Sequence, residues 1–422
     1  MTRALRAPVL ICWALAALIL MLVGAPAIAH LQFPDPDDAM RLLEVRDLLA
    51  GQSWWDVSQH RLVGPTGAGA YAMHWSRIVD LPLAAVMAAF DPLVGETAST
   101  RIALTLVPLL ILLAVSALVA RLVATLGGIE RAKMAVLLVP LSPPLVYQIQ
   151  PLRIDHHGWQ VMLATAAVAA LLSAPARRSG AIAGACLAAL VSVSLEGMPI
   201  TAAITGVALL AWAFDPSRRA QATAMIASLV GGVVLIHIAQ RGPAMLAPAC
   251  DAIAPAWIGA LFVAGAGIGS TIAFARTLAL RLAGLLAAGV AAAATLRFAA
   301  PVCTAGPFAT LDPLVYKVWY LGVSEGLPAT AQTPAVAAML YALPLVGLAG
   351  AAVAWRASAG EARTRWTMMG GIAAAGFVFS LLVARGAATA NALALPGAAW
   401  LLHAWLTRAR RVRPLLDRKS VV

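Results

Sequence analysis

The chain has 422 residues, of which 62% are hydrophobic and 11% charged, under half the charged share of about 25% in ordinary soluble domains. Long apolar runs recur from end to end, which argues for an all-α polytopic membrane protein and against a soluble domain. The net charge of +12 comes from arginines set between those runs and at the tail, with no basic stripe interleaved with aromatics, so no nucleic-acid partner is expected.

The first apolar run covers 8–29. Its core, from Val9 to Gly24, is long for a signal peptide and about long enough to span a bilayer, so it reads as an uncleaved first helix. The stretch PDPDDAMRLLEVRDLLAG follows at 34–51 and places four aspartates, one glutamate and two arginines in eighteen residues. It predicts an amphipathic helix with Leu42, Val45 and Leu49 on one stripe, Arg41 and Glu44 on another, and Gly51 as its stop. Asp37 or Asp38 is placed to cap its start. The competing reading of Asp38 is an acid held at the bilayer edge, facing a site between helices. Segment 78–95, IVDLPLAAVMAAFDPLVG, carries Asp80, Pro82, Asp91 and Pro92 and is expected to lie on the membrane surface or re-enter it.

Further apolar runs follow at 100–123, 133–148, 159–175, 180–196, 199–214 and 222–240. The last five are 256–275, 277–299, 335–355, 366–384 and 389–407, which brings the expectation to about twelve transmembrane helices. With that number the pairs Arg3/Arg6, Arg131/Lys133, Arg177/Arg178, Arg218/Arg219 and Arg276/Arg281 share one face. Arg356, Arg363, Arg365 and the basic tail 408–422 join them, which makes that face the cytoplasm.

The opposite face then receives a first external loop at 30–99, a second at 148–158 and a late one at 301–334, within one membrane domain over 1–422. Cys12 and Cys186 fall in apolar runs, whereas Cys250 and Cys303 fall outside them; a disulfide between the latter pair stays open, with no spacing to support it.

Three external stretches carry chemistry. RIDHHGWQ supplies Arg153, Asp155, His156 and His157; in an extended loop Asp155 and His157 point to one side and His156 to the other. A carboxylate and an imidazole so placed can share a divalent cation, with imidazole shifting preference from Mg²⁺ toward Mn²⁺ or Zn²⁺. LGVSEGLPA supplies Glu325, and SLEGMP supplies Glu196; each alone is an ordinary loop acid.

Taken in order, these stretches resemble the catalytic subunits of oligosaccharyltransferases, membrane glycosyltransferases of the GT-C fold. DDAMRLLEVRDLLAG is similar to the family's first external loop, with Asp38 at the aspartate of its N-D-A-Y-type start and Arg46, Asp47 and Gly51 at its ending. Asp155-His156-His157 matches the D-x-H form of the second-loop motif, and Val323, Ser324 and Glu325 match the fifth-loop S-V-S-E motif. The resemblance covers nearly the whole chain but not the family's soluble C-terminal domain, whose W-W-D-Y-G motif this sequence lacks. The family's late-helix arginine stands seven residues before a proline; Arg385 precedes Pro396 by eleven, and Thr389 holds the family position.

The resemblance implies transfer of a sugar or oligosaccharide from a polyprenyl-(di)phosphate carrier to a protein, lipid or glycan acceptor, on the periplasmic face of a bacterial inner membrane. It implies Asp38, Asp155 and His157 as ligands of Mn²⁺ or Mg²⁺, and Asp38 and Glu325 as the groups that orient and activate the acceptor. Arg385, Arg153, His156, Trp159 and Ser324 would contact substrate, and segment 78–95 would line the carrier's path from the lipid. A transporter would instead place charge in mid-helix and show internal repeats, and a polysaccharide-assembly protein would give these acids no reason to converge.

Overall fold

The computed structural model describes residues 3–63, 70–305 and 312–419, almost all of them helical. Helix α1 (Arg3–His30) is the first apolar run. It ends at Leu31, whose φ of 51° is the left-handed conformation common just past a helix end but costly for a branched side chain. Helix α2 (Pro36–Leu49) starts after Asp35, whose carboxylate accepts the Asp37 backbone N–H at 2.9 Å, with Pro36 fixing the first turn. The cap is therefore Asp35, not Asp37 or Asp38. A proline at the first helical position moves the start two or three residues earlier, and Asp38 is released to face another segment.

The inward face of α2 also differs from the expected stripe. Asp38, Arg41, Leu42, Glu44 and Val45 are buried, while Leu49 is exposed. Arg41 can be inside because it meets Asp80 at 2.6 Å and lies over the Trp75 ring, so its charge is paired and its stem packed. After α2 a small antiparallel hairpin forms from β1 (Ser58–Val63) and β2 (Ala70–Ala72), pairing Ser58 with Ala72. Helix α3 (Arg77–Val94), capped by Ser76, is the segment expected at the membrane surface; it is one continuous helix with Arg77, Val79, Asp80, Leu83 and Met87 buried.

Helix α4 (Glu96–Gly127) has 32 residues, about 48 Å at 1.5 Å per residue, more than a bilayer core requires. The run expected to span 133–148 is broken. Helix α5 (Ile129–Leu138) stops before Pro140, and only the short α6 (Pro143–Tyr147) follows, because Pro140, Pro143 and Pro144 remove successive ladder donors. Next come α7 (His157–Leu171), α8 (Arg177–Val193), α9 (Met198–Phe214), α10 (Arg219–Arg241), α11 (Pro255–Phe274) and α12 (Leu278–Ala299). The late part holds α13 (Pro313–Val318), α14 (Pro334–Arg356), α15 (Gly360–Leu382) and α16 (Ala387–Lys419). Among the described residues eight helices are long and apolar enough to cross a membrane: α1, α4, α9 to α12, α14 and α15.

The chain forms two compact units. One comprises 17–112 and 148–323, the other 1–16, 113–147 and 324–422. In the first, α8 and α10 meet backbone to backbone. A Cβ on Gly180 or Gly184 would collide with the Gln221 or Met225 carbonyl oxygen, so the small-residue pair sets the approach of the two helices. Gln221 closes the polar end of that contact, donating to the Leu171 carbonyl at 2.9 Å and to Ser179 at 3.0 Å. In the other unit, Asn391 of α16 donates to the Leu340 and Ala387 carbonyls and accepts from Ser142, which links α16 to α14 and to the break before α6.

Cys250 and Cys303 form a disulfide that ties the loop before α11 to the turn after α12, closing the question that spacing left open. Disulfides persist in oxidising compartments, so these two loops carry the signature of an extracytoplasmic face.

Candidate functional site

The site grows from the loop between α6 and α7. Leu152 adopts a φ of 71°, and its N–H donates to the Leu104 carbonyl of α4 at 2.9 Å, which turns Arg153 to His156 inward. Asp38 meets this loop from α2. Its Oδ1 accepts the backbone N–H of Ile154 at 2.7 Å and of Asp155 at 2.9 Å, and its Oδ2 meets Arg153 at 3.1 Å. Arg153 is wholly buried and also lies 3.1 Å from Asp35 and 3.2 Å from Asp155. One guanidinium therefore bridges three carboxylates, those of Asp35, Asp38 and Asp155.

Asp155 in turn holds His157. Its Oδ1 accepts the His157 backbone N–H at 2.9 Å, and its Oδ2 lies 2.6 Å from Nδ1. Burial works against ionisation of Asp155, but His157 and Arg153 outweigh it and keep the carboxyl well below its ordinary range. An ionised Asp155 fixes the proton on Nδ1 and turns the Nε2 lone pair outward. Asp38 goes the other way. Burial and the Asp155 charge push it up to about 7, against Arg153 and the two backbone donors.

The outward side of His157 is where the structure departs most from the expected geometry. His156 has helical backbone, φ −83° and ψ −11°, because α7 begins at the next residue. Extended alternation does not apply there, and the two imidazoles stack at 4.4 Å instead of pointing apart. Both reach Glu196, from the turn before α9: Nε2 of His156 lies 3.5 Å and Nε2 of His157 3.7 Å from Glu196 Oε2. His156, His157 and Glu196 each offer a ligand atom, and all three atoms lie within 4.8 Å of one another. Two ligands at about 2.1 Å from a tetrahedral ion stand about 3.4 Å apart, so the donor set matches a small divalent cation. Burial lowers the His156 pKa and the neighbouring His157 adds to it, leaving the neutral, ligating form of the ring. Glu196 was legible only as a polar loop acid; its place in SLEGMP, between two apolar runs on the outer face, was the available signal.

Asp38, Arg153, Asp155, His156 and His157 are thus gathered in one unit, joined by Glu196 and Asp35, and Trp159 stands half-buried on the first turn of α7. Glu325, Ser324 and Arg385 belong to the other unit. There Glu325 Oε1 lies 3.7 Å from Arg385 Nη2, both partly accessible. The Ser324 carbonyl accepts from Gln332, and the Ala384 N–H donates to the Leu327 carbonyl, so the VSE turn and the arginine turn are fastened together.

No family model and no curated protein matches the sequence. Solved structures do. The Archaeoglobus fulgidus oligosaccharyltransferase AglB, in complex with an inhibitory peptide and a dolichol-phosphate, superposes with a TM-score of 0.66 at 16% identity, over 97% of this chain and 52% of that one. The apo form of the A. fulgidus enzyme gives 0.62 at 18% identity over 97% and 52%. Its complex with Zn and sulfate gives 0.55 at 17% over 97% and 51%. The chain spans about half the length of these structures. Along nearly its whole length, then, this protein has the GT-C fold of an archaeal oligosaccharyltransferase.

Proposed function

We propose that the protein is a metal-dependent membrane glycosyltransferase that moves a sugar or oligosaccharide from a polyprenyl-(di)phosphate carrier to an acceptor on the outer face of the membrane. The observation that carries the reading is the orientation of His157: Asp155 holds its Nδ1, and its Nε2 faces Glu196 beside His156. A carboxylate–imidazole relay of this kind is how metal-ligating histidines are commonly held. Three order-preserving loop motifs and the fold of an oligosaccharyltransferase support the same assignment.

In this reading His156, His157 and Glu196 ligate the cation, and Asp155 orients His157. Asp38 and Arg153 position the loop on which those residues stand. Two imidazoles and a carboxylate suit Zn²⁺ or Mn²⁺ better than Mg²⁺, which prefers an all-oxygen shell and keeps its waters. The A. fulgidus enzyme has been captured with Zn, which agrees with this preference. When bound, the ion would neutralise charge developing on a diphosphate leaving group. Glu325 is proposed to orient the acceptor nucleophile. Arg385 supplies a guanidinium suited to bidentate contact with phosphate, and Trp159 and Ser324 are further substrate contacts.

The whole chain is read as one membrane domain. Helices α5 with α6, α7, α8 and α16 occupy the remaining apolar runs and bring the spans to about twelve. The Cys250–Cys303 disulfide supports a periplasmic placement of the loops that carry it. The acceptor is a protein, lipid or glycan group.

The test is incubation of purified protein with a panel of lipid-linked sugars and acceptors, with and without Mn²⁺ or Zn²⁺, scored by mass spectrometry. Metal-dependent transfer that disappears in Glu196→Gln and His157→Ala is expected. No transfer across a broad donor panel would overturn the proposal.

A further inference from the structure

Helix α10 ends at Arg241, and the last carbonyls of a helix have no partner further along it. Gly242 serves the Ile238 carbonyl with its own N–H. The next carbonyl, that of Ala239, is taken by two side chains from the turn between α2 and β1. The indole N–H of Trp54 donates to it at 2.8 Å and that of Trp55 at 3.1 Å, one to each lone pair. Ring and helix end are closely fitted. Gly242 has a φ of 43°, and a Cβ there would stand 2.6 Å from the Trp55 ring, so both the turn and the contact require glycine. The turn that follows is fastened by His237, whose Nε2 lies 2.8 Å from the Met245 carbonyl oxygen.

What this assembly presents outward is apolar. Trp55 is 50% exposed and Leu246 77%, with Met245 exposed beside them in sequence. Leu235, Ile238, Ala239 and Gly242 recur at helical spacing on one face of α10, where Leu235 is 69% exposed and Ile238 is exposed as well. Because α10 is long and apolar enough to cross a membrane, that face is the one it offers to lipid. Trp55 continues it past the helix end. The chain then runs into Cys250 and its disulfide, which marks this end as the outer one.

We infer that the outer leaflet of the bilayer covers this shelf. The turn 53–56, Met245 and Leu246 lie among lipid, and the two indoles cap α10 where water does not.

Hydrogen bonding decides between lipid and water. A carbonyl at a helix end in water is served by solvent, whereas in hydrocarbon it must find a partner within the protein. Two tryptophans brought to one carbonyl meet the second need. Tryptophan at a membrane surface ordinarily keeps its N–H for water or headgroups. Here both N–H groups are committed to Ala239, so the open face of Trp55 is purely apolar and suits acyl chains. A glycan would find little to bind, since Trp55 has used its one donor and Leu246 has none.

The experiment is fluorine NMR of the full chain, labelled with fluorotryptophan and reconstituted in nanodiscs. Of the 12 tryptophan resonances, the one missing from Trp55→Phe belongs to Trp55. A lipid with a nitroxide high on its acyl chain should broaden that resonance away, and a water-soluble gadolinium chelate should leave it sharp. Broadening by the chelate and not by the lipid would overturn the inference. A resonance untouched by both agents would overturn it too, because the shelf would then be covered by protein, such as a second copy of the chain. Should Trp55→Phe fail to fold, bimane on Leu246→Cys, in a background of Cys12→Ser and Cys186→Ser, gives a second measurement. Quenching by the nitroxide lipid and not by aqueous iodide is expected, and the reverse would overturn the inference.

Discussion

Asp155 Oδ2 lies 2.6 Å from His157 Nδ1, inside a pocket where Arg153 balances the carboxylate charge. The acid of the D-x-H pair thus reaches the imidazole directly, and the proposed role of Asp155 as the group that orients His157 rests on this contact. Removing the charge while keeping the shape tests it. Asp155→Asn takes away the acceptor that pins the proton on Nδ1. Loss of such a partner typically costs about 10–100-fold in metal affinity, and isothermal titration with Zn²⁺ or Mn²⁺ should show a drop of that order. Unchanged affinity would mean that Asp155 does not orient the ligand.

The buried charge cluster on α2 and α3 makes the protein sensitive to pH. Burial, only partly offset by Arg41, pushes Glu44 up to about 7 from its ordinary 4.5. A carboxyl whose folded pKa is raised stabilises the fold fully below its unfolded pKa, and that stability is lost as pH rises through the folded value. Between about pH 4.5 and 7 the loss amounts to roughly 3 kcal/mol, at about 1.4 kcal/mol for each pH unit. Thermal unfolding in detergent should therefore fall more steeply across this window in the wild type than in Glu44→Gln. Parallel curves would show that Glu44 is ionised throughout.

The meeting of α8 and α10 gives a packing prediction. Gly184→Ala places a methyl against the Met225 carbonyl oxygen, a rigid backbone atom that cannot turn away. Overpacking of this kind costs about 1–3 kcal/mol, and a backbone collision puts this site at the upper end. The melting temperature should drop clearly. Gly206→Ala, with open space beyond its Cβ, should leave it almost unchanged.

Cys250→Ser or Cys303→Ser opens a loop of 53 residues. Loss of the crosslink should destabilise the protein by about 2–4 kcal/mol, read as a lower melting temperature that reducing agent reproduces in the wild type and does not lower further in the variants.

How much of this could be read from the sequence differs by the range of the interaction. All but one of the apolar runs predicted to span are each occupied by one helix, because length and hydropathy are local properties. The exception at 133–148 shows proline chemistry overriding hydropathy. The site was harder. That Asp38, Asp155 and His157 belong together was suggested by motif order alone, since 117 residues separate Asp38 from the Asp155 backbone it binds. The ring of His156 was expected on the wrong side, because its direction depends on α7 starting at His157, a boundary of one residue. Glu196 and the Cys250–Cys303 pair depend on how distant loops fold back, which no local pattern records.

The most direct measurement is X-ray absorption on purified protein loaded with one equivalent of Zn²⁺. Two imidazole nitrogens and a carboxylate oxygen are expected in the coordination shell, with imidazole scattering reduced in His156→Ala and binding weakened in Glu196→Gln. A shell with a single imidazole, insensitive to both changes but lost in Asp38→Asn, would contradict the account and return the ion to Asp38, Asp155 and His157.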